Sequence, residues 1–132
     1  MKRFLSVLLC SLLLLSLAAP LVSARFSYTN YTDTGIGIVS GKAIGVGDLE
    51  GYQGITTKVE ITLTLQRRLK GTTGWSTYVS GTKQTFNNWY GTSSLSKASI
   101  DKGYEYRTKA VYVAWSGSKS ETITDYSPAM GY

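Results

Sequence analysis

The chain has 132 residues, with 14 basic and eight acidic side chains, and it carries a net charge of +6 without any histidine. Its one cysteine, Cys10, excludes an internal disulfide and a zinc site built from several thiolates. The positive charge is modest and scattered along the chain, so it does not by itself indicate binding to nucleic acid.

The first 24 residues have the features of a signal peptide. A basic start at residues 2–3 is followed by an almost wholly apolar run over residues 4–17 and by small residues at 22–24. We expect cleavage after this site and secretion to the extracellular space, which also removes Cys10. The alternative is an uncleaved membrane anchor, because the apolar run approaches the roughly 20 residues that a spanning helix needs.

The remaining residues, 25–132, suit one domain, and their apolar side chains alternate with a period of two. Between residues 57 and 68, every second side chain from Val59 to Leu65 is apolar, and the side chains between them are polar. This pattern predicts a strand with one buried face and one solvated face. Gly, Ser and Asn divide the rest of the chain into short segments at hairpin spacing.

Seven strands are predicted, at residues 32–39, 42–50, 57–68, 75–86, 94–100, 104–115 and 120–126. Gly81 is interpreted as a bulge inside the fourth strand. The pattern predicts an all-β fold, a single seven-stranded antiparallel β-sandwich of immunoglobulin-like or fibronectin III-like type over residues 32–127. Residues 25–31 are expected to form a flexible N-terminal segment, and residues 128–132 a loose C-terminal tail.

The segment 100–106, IDKGYEY, followed by alternating side chains as far as Tyr112, resembles the E–F corner of fibronectin type III domains. The resemblance implies that Tyr106 is the corner tyrosine, whose hydroxyl bonds to the backbone a few residues upstream. The second predicted strand lacks the tryptophan of that family. Residues 56–127 also resemble small uncharacterised secreted proteins of Gram-positive, often gut, bacteria. That resemblance implies a secreted, non-catalytic single domain and supplies no site residues.

The residues that suggest catalysis have simpler interpretations. Asp33-Thr34-Gly35 matches the tripeptide of aspartic proteases, but that chemistry needs two carboxylates that share a proton. The tripeptide occurs once, so only a symmetric dimer supplies a second carboxylate, and Asp33 is interpreted as a turn residue that leads the first strand. Glu60 and Glu105 are expected to form ion pairs across the sheet rather than a glycosidase pair. We therefore expect no enzymatic activity, no cofactor and no metal.

Aromatic residues are predicted to gather at one end of the sandwich. If every strand reverses direction, the loops after the second, fourth and sixth strands lie at the same end, and they carry Tyr52, Trp89 and Tyr90, with Trp115 at the entrance of the third. Tyr and Trp among Gly, Ser and Asn are typical of a binding surface for a glycan or an extracellular protein. The alternative is that Trp89 caps the core and Trp115 packs against the opposite sheet.

The opposite end carries four basic residues that we call the basic rim: Arg67, Arg68, Lys70 and Lys102. The rim is expected to be a solvated end or a contact for anionic wall polymers of the cell surface. The second possibility gives an alternative function, that of a structural protein associated with the cell envelope. A secreted toxin or bacteriocin-like protein is a further alternative, although residues 25–132 show no membrane-active segment. Nucleic acid is not expected as a partner.

Overall fold

The computed structural model describes residues 26–132, which form nine strands and no helix. The strands are β1 (Thr29–Val39), β2 (Lys42–Gly51), β3 (Lys58–Leu69), β4 (Ser76–Ser80), β5 (Gln84–Phe86), β6 (Tyr90–Lys97), β7 (Tyr104–Ser116), β8 (Lys119–Tyr126) and β9 (Met130–Gly131). The predicted all-β class is confirmed. These residues contain no helix that is long and apolar enough to cross a membrane. The predicted signal peptide, with Cys10, lies outside the described residues.

The strands form two antiparallel sheets that pack together as a sandwich. The smaller sheet has the order β1-β2-β6. The larger sheet has the order β4-β3-β7-β8, and β5 and β9 pair with β3 and β7 respectively. Consecutive strands β1 and β2 form a hairpin, as do β7 and β8, while β6 returns to the smaller sheet and lies beside β2.

Alternation along β3 and β7 builds the core between the sheets. The apolar side chains of β3 from Val59 to Leu65 are at most 2% exposed, as the sequence pattern predicts. Every second residue of β7 from Tyr106 to Ala114 is also buried. Burial of such side chains stabilises the fold by about 25 cal/mol per Å² of apolar surface removed from water, so these two central strands contribute most to the core.

Two glycines of β2 allow the sheets to approach each other. A Cβ on Gly45 would lie 2.6 Å from Thr108 Oγ1, and a Cβ on Gly47 would lie 2.8 Å from both Leu63 Cδ2 and Tyr112 Oη. Both distances are shorter than van der Waals contact. Glycine at these two positions of the strand therefore leaves room for side chains of the opposite sheet.

Buried hydroxyl groups of β7 bond to β1 of the opposite sheet. The Tyr112 hydroxyl lies 2.7 Å from Thr34 Oγ1 and 2.8 Å from the carbonyl oxygen of Asp33. Thr108 Oγ1 donates to the carbonyl oxygen of Gly35 at 2.8 Å. Each polar group thus has a partner inside the sandwich, which removes the cost of burying it unpaired.

Tyr106, the third residue of β7, bonds back to the corner that precedes this strand. Its side chain is fully buried, and its hydroxyl donates to the carbonyl oxygen of Asp101, five residues upstream, at 2.6 Å. Gly103, between the two, has a φ of 85°, a left-handed conformation that glycine adopts without strain. The backbone of the turn is therefore held by the tyrosine that it precedes.

Two of the predicted strands differ clearly from the structure. The single strand predicted at 75–86 is two strands, because the chain leaves β3 after β4 and returns to it as β5. Gly81 lies in the break rather than in a bulge, and its N–H donates to the carbonyl oxygen of Leu63. The strand predicted at 94–100 is β6, which begins at Tyr90 because Tyr90 to Lys97 pair with β2.

The two segments expected to be loose take part in the sheets. β1 begins at Thr29, inside the segment predicted to be flexible, and the backbone N–H groups of Ser27 and Tyr28 donate to the carboxylate of Glu121. At the other terminus, β9 pairs with β7, and the Tyr132 N–H donates to the carbonyl oxygen of Tyr104. These bonds join residues that are far apart in sequence, so no local pattern indicates them.

Candidate functional site

The four aromatic residues predicted to share one end of the sandwich have backbones that meet there. The N–H of Gly51, at the end of β2, donates to the carbonyl oxygen of Trp89 at 2.6 Å. The N–H of Thr57 donates to the carbonyl oxygen of Trp115 at 2.8 Å. Tyr52 follows Gly51 directly. The side chains nevertheless divide between the two sheets.

Trp89 and Tyr90 form the wall of an open groove on the outer surface of the smaller sheet. Their ring centroids are 5.0 Å apart at an interplanar angle of 73°, an edge-to-face arrangement. Such a pair is favourable by about 0.5–1.5 kcal/mol beyond the area that it buries. The groove has a volume of about 490 Å³, and we call it the aromatic groove; it is lined by Tyr31, Asp48, Leu49, Glu50, Trp89, Tyr90, Gly91 and Thr92.

Strand register brings the groove residues together. Glu50 in β2 pairs with Tyr31 on one side and with Tyr90 on the other, so the three form one row across the sheet. Asp48 lies two residues away in β2 and pairs with Asp33 and Thr92 in the next row of the same face. Side chains two apart on a strand share a face, which gives the groove aromatic rings next to carboxylates.

Tyr31 completes the aromatic lining. A register shift between Thr29 and Tyr31 places Tyr31 opposite Glu50, and its side chain is 53% exposed, close to the 51% of Tyr90. The negative charge of Asp33, followed by smaller contributions that include Asp48 and Glu50, raises the pKa of the Tyr31 phenol. A raised phenol pKa indicates that the potential in this part of the surface is negative.

A second open groove of about 500 Å³ lies on the other side of Tyr90. It is lined by Phe86, Asn87 and Asn88 and shares Tyr90, Gly91 and Thr92 with the aromatic groove. Gly91 faces inward against the ring of Phe86, and no side chain fits between them. Tyr90 thus stands between two grooves, one bordered by carboxylates and the other by asparagine amides.

Trp115 and Tyr52 do not line the aromatic groove. Trp115 lies on the outer face of the larger sheet, where its indole Nε1 donates to Glu60 Oε1 at 2.9 Å and the Lys58 ammonium lies 4.5 Å from its ring centroid. Tyr52 is half-buried, and its backbone closes the turn that ends at Thr56. The structure thus places Trp89 and Tyr90 in one site and leaves these two outside it.

Glu60 is held in a network of its own. Burial raises its pKa, but a hydrogen bond and the charge of Lys83, the indole of Trp115 and the charge of Lys58 together hold the pKa of this carboxyl below its usual value. The Lys83 ammonium lies 3.2 Å and the Lys58 ammonium 3.6 Å from its oxygens. Glu60 therefore forms ion pairs, but its partners are Lys58 of its own strand and Lys83, which precedes β5, and not a residue directly opposite it across the sheet.

The basic rim is partly neutralised by the protein itself. Arg67 lies 2.8 Å from the carboxylate of Asp101, and its guanidinium lies between the rings of Tyr78 and Tyr104 at 4.2 and 4.3 Å. Arg68 lies 2.7 Å from Glu105 and 4.4 Å from the ring centroid of Trp75. Lys70 and Lys102 are exposed. Two of the four predicted rim residues are thus engaged internally.

The Asp33-Thr34-Gly35 tripeptide is not a turn that leads a strand. Asp33 is the fifth residue of β1, where it pairs with Asp48, and Thr34 is buried beneath Tyr112. The interpretation of Asp33 as a turn residue is therefore wrong, because β1 begins earlier than the local pattern indicates. Within residues 26–132, no group of three acidic side chains is arranged to hold a metal ion.

Sequence reasoning missed Tyr31, Asp48 and Glu50. Tyr31 fell in a segment without alternating apolar residues, and the two carboxylates lie on a strand whose glycines hide its period of two. These residues are identified by the pairing of β2 with both β1 and β6, since this register puts the three side chains beside Tyr90.

No family model and no curated relative matches the sequence. Among solved structures, the chain is similar to OgpA from Akkermansia muciniphila, with 7% identity and a TM-score of 0.41, over 80% of this chain and 28% of that one. It is also similar to Spo0M, a sporulation control protein from Bacillus subtilis, with 11% identity and a TM-score of 0.39, over 76% of this chain and 49% of that one. The chain spans less than half the length of either, and the similarity is a distant one between all-β folds.

Proposed function

We propose that the protein is a secreted, non-catalytic binding module that recognises a glycan through the aromatic groove. The observation that carries the proposal is the edge-to-face pair of the half-buried Trp89 and the exposed Tyr90, which lines the aromatic groove together with Tyr31, Asp48 and Glu50. Flat aromatic rings stack on the apolar face of a sugar ring, while carboxylates and amides accept its hydroxyl hydrogens. The asparagines of the second groove extend the same chemistry past Tyr90.

The fold that carries this groove is proposed to be fibronectin III-like. Support comes from the division of the main strands into β1-β2-β6 and β4-β3-β7-β8 and from the corner bond of Tyr106 to Asp101. In sandwiches of this kind, the ends of the sheets present variable side chains on a rigid frame. The aromatic groove lies at such an end.

Envelope association through the basic rim is the second candidate function. Lys70 and Lys102 are exposed, which favours contact with an anionic polymer. The ion pairs of Arg67 and Arg68 weigh against it, because a polymer would have to displace Asp101 and Glu105 to use them. The aromatic groove is therefore the preferred site.

A pull-down of the purified protein on bacterial cell-wall fractions tests the proposal. We expect the double variant Trp89→Ala and Tyr90→Ala to lose binding and to keep its circular dichroism spectrum, because surface substitutions usually change the free energy of unfolding by about 0.5 kcal/mol or less. The matched control is Tyr126→Ala, which removes an aromatic side chain, 44% exposed, from the other sheet.

A second control variant separates the two candidate functions. Lys70→Gln together with Lys102→Gln removes the exposed charges of the rim and should leave binding intact. Normal binding by the folded aromatic variant, with loss in the lysine variant, would transfer the function to the basic rim. Unfolding of the aromatic variant would mean that Trp89 belongs to the core.

A further inference from the structure

Charge is distributed unevenly over the outer faces of the two sheets. The whole chain carries a net charge of +6, yet the outer face of the smaller sheet presents Asp33, Asp48 and Glu50 around the aromatic groove. The ion pairs among residues 26–132 use Glu60, Asp101 and Glu105, and none of the three groove carboxylates has a basic side chain within 4 Å there.

The pairing of Asp33 with Asp48 is unfavourable in the absence of a cation. The two residues are directly opposite each other on neighbouring antiparallel strands, where Cβ atoms are about 4.5–5.5 Å apart and like charges destabilise the sheet. Glu50 is the next acidic residue on the same face, and among residues 26–132 its carboxylate accepts one long hydrogen bond of 3.4 Å, from the Asn30 amide. A positively charged ligand would remove this repulsion.

The aromatic rings select among cations. Tyr90 and Tyr31 flank Glu50 on the two neighbouring strands, and Trp89 contacts Tyr90 edge to face. Aromatic faces attract a cation through their quadrupole and also provide a flat apolar surface. A bare metal ion uses neither property well, whereas a sugar ring that carries an ammonium group uses both. The raised pKa of Tyr31 agrees with a negative potential where such a group would lie.

We infer that the aromatic groove recognises a cationic glycan, that is, a chain of amino sugars whose amines are free and protonated. The inference rests on the proposed function and narrows it to one class of glycan. A sugar ring stacks on Tyr90, and its ammonium group lies toward Asp48 and Glu50. Because the second groove shares Tyr90, an extended oligosaccharide reaches Asn87 and Asn88 with its next ring.

The experiment compares two oligosaccharides that differ only in acetylation. Isothermal titration calorimetry is performed on the purified protein with the hexasaccharide of glucosamine and with that of N-acetylglucosamine. The titration is performed at about pH 5.5, which lies below the usual pKa of an amino group, so the free amines of the sugar are protonated. Salt at about 0.15 M screens charges more than roughly 8 Å away. We expect the free amine form to bind about tenfold more tightly, a difference of about 1.4 kcal/mol.

Two variants locate the origin of this preference. Asp48→Asn combined with Glu50→Gln keeps the shape of the groove and should bring the affinity ratio of the two oligosaccharides close to one. Glu105→Gln removes one carboxylate from the outer face of the larger sheet and should leave the ratio unchanged. An equal loss in both variants would show that the preference reflects net charge, and it would overturn the inference.

Other results overturn the inference without touching the proposed function. Equal affinity for the two hexasaccharides, or tighter binding of the acetylated one, would mean that the groove binds neutral glycans. The inference is also overturned if neither hexasaccharide binds while the cell-wall pull-down still depends on Trp89 and Tyr90. If binding in the pull-down also fails to depend on Trp89 and Tyr90, the proposed function and the further inference are both wrong.

Discussion

The hydroxyl of Tyr106 fixes the turn that precedes β7 through a single hydrogen bond. It holds the carbonyl oxygen of Asp101 from inside the sandwich, while Tyr104, two residues earlier, is half-buried and presents its ring to Arg67. The two tyrosines look alike in the sequence motif and differ in what they contact. Removal of their hydroxyls should therefore have unequal effects.

We expect Tyr106→Phe to lower the free energy of unfolding by about 1–2 kcal/mol, because the buried side chain of Tyr106 loses its hydrogen bond to the carbonyl oxygen of Asp101. Tyr104→Phe should have a smaller effect, since phenylalanine keeps the ring face against Arg67. Urea midpoints of the two variants measure the difference. A larger loss in Tyr104→Phe would place the corner contact at that residue instead.

At the scale of the strand, β2 contains a glycine at a position where side chains of the opposite sheet leave no room for a larger residue. Gly47 faces Leu63 and Tyr112 across the sandwich, whereas Gly37, in the neighbouring strand β1, has no atom of the described part of the chain within 4 Å of the position of a Cβ. Both are glycines within strands and differ only in what lies beyond them. They form a matched pair for a test of sheet packing.

Gly47→Ala should lower the free energy of unfolding by about 1–3 kcal/mol, because the added methyl group forces Tyr112 or Leu63 to move. Gly37→Ala should be neutral or stabilising by up to about 1 kcal/mol, since alanine restricts the unfolded chain. Thermal unfolding followed by circular dichroism compares them. Equal destabilisation would mean that backbone freedom, and not the space between the sheets, explains both glycines.

The sequence predicts some strands well and others poorly, for a physical reason. β3 and β7 are central and buried on one face, so every second residue from Val59 to Leu65 must be apolar. β6 lies at the edge of the smaller sheet and consists largely of Gly, Ser and Thr, so its start at Tyr90 depends on pairing with β2. The break at Gly81 depends on Leu63 in the same way.

The candidate site was accessible to prediction only in part. Trp89 and Tyr90 are recognisable because two adjacent aromatic residues stand among Asn and Gly at a turn. Tyr31, Asp48 and Glu50 join them through register across three strands, which no local pattern contains. The backbone of Trp115 lies at the same end, but the alternation of side chains along β7 puts its ring on the outer face of the larger sheet, where it bonds to Glu60.

At the scale of the whole molecule, the sheets are joined by polar contacts as well as by the apolar core. Tyr112 reaches from β7 to β1, and burial raises the pKa of its phenol to about 12. A tyrosine in an unfolded chain has a pKa near 10. Since the folded value is the higher one, the stabilisation is complete below about pH 10 and is lost as the pH rises toward 12.

We expect the urea midpoint of the protein to fall between about pH 10 and 12, because burial makes ionisation of Tyr112 less favourable in the folded protein than in the unfolded chain. Tyr112→Phe lacks the ionisable group, so its midpoint should start lower and depend less on pH over the same range. The measurement is a urea titration at several alkaline pH values. A parallel decline in both proteins would assign the effect to other groups.

The anchoring of Tyr132 has a geometric consequence. Its backbone is bonded to Gly103 and Tyr104, and its ring lies beside Gly41, all at the end of the sandwich that carries the basic rim. The aromatic groove lies at the other end, next to the start of β1. A molecule tethered to a solid support through residue 132 therefore turns its groove away from that support. Many copies fixed in this way would present a uniform layer of outward-facing grooves to long polymers.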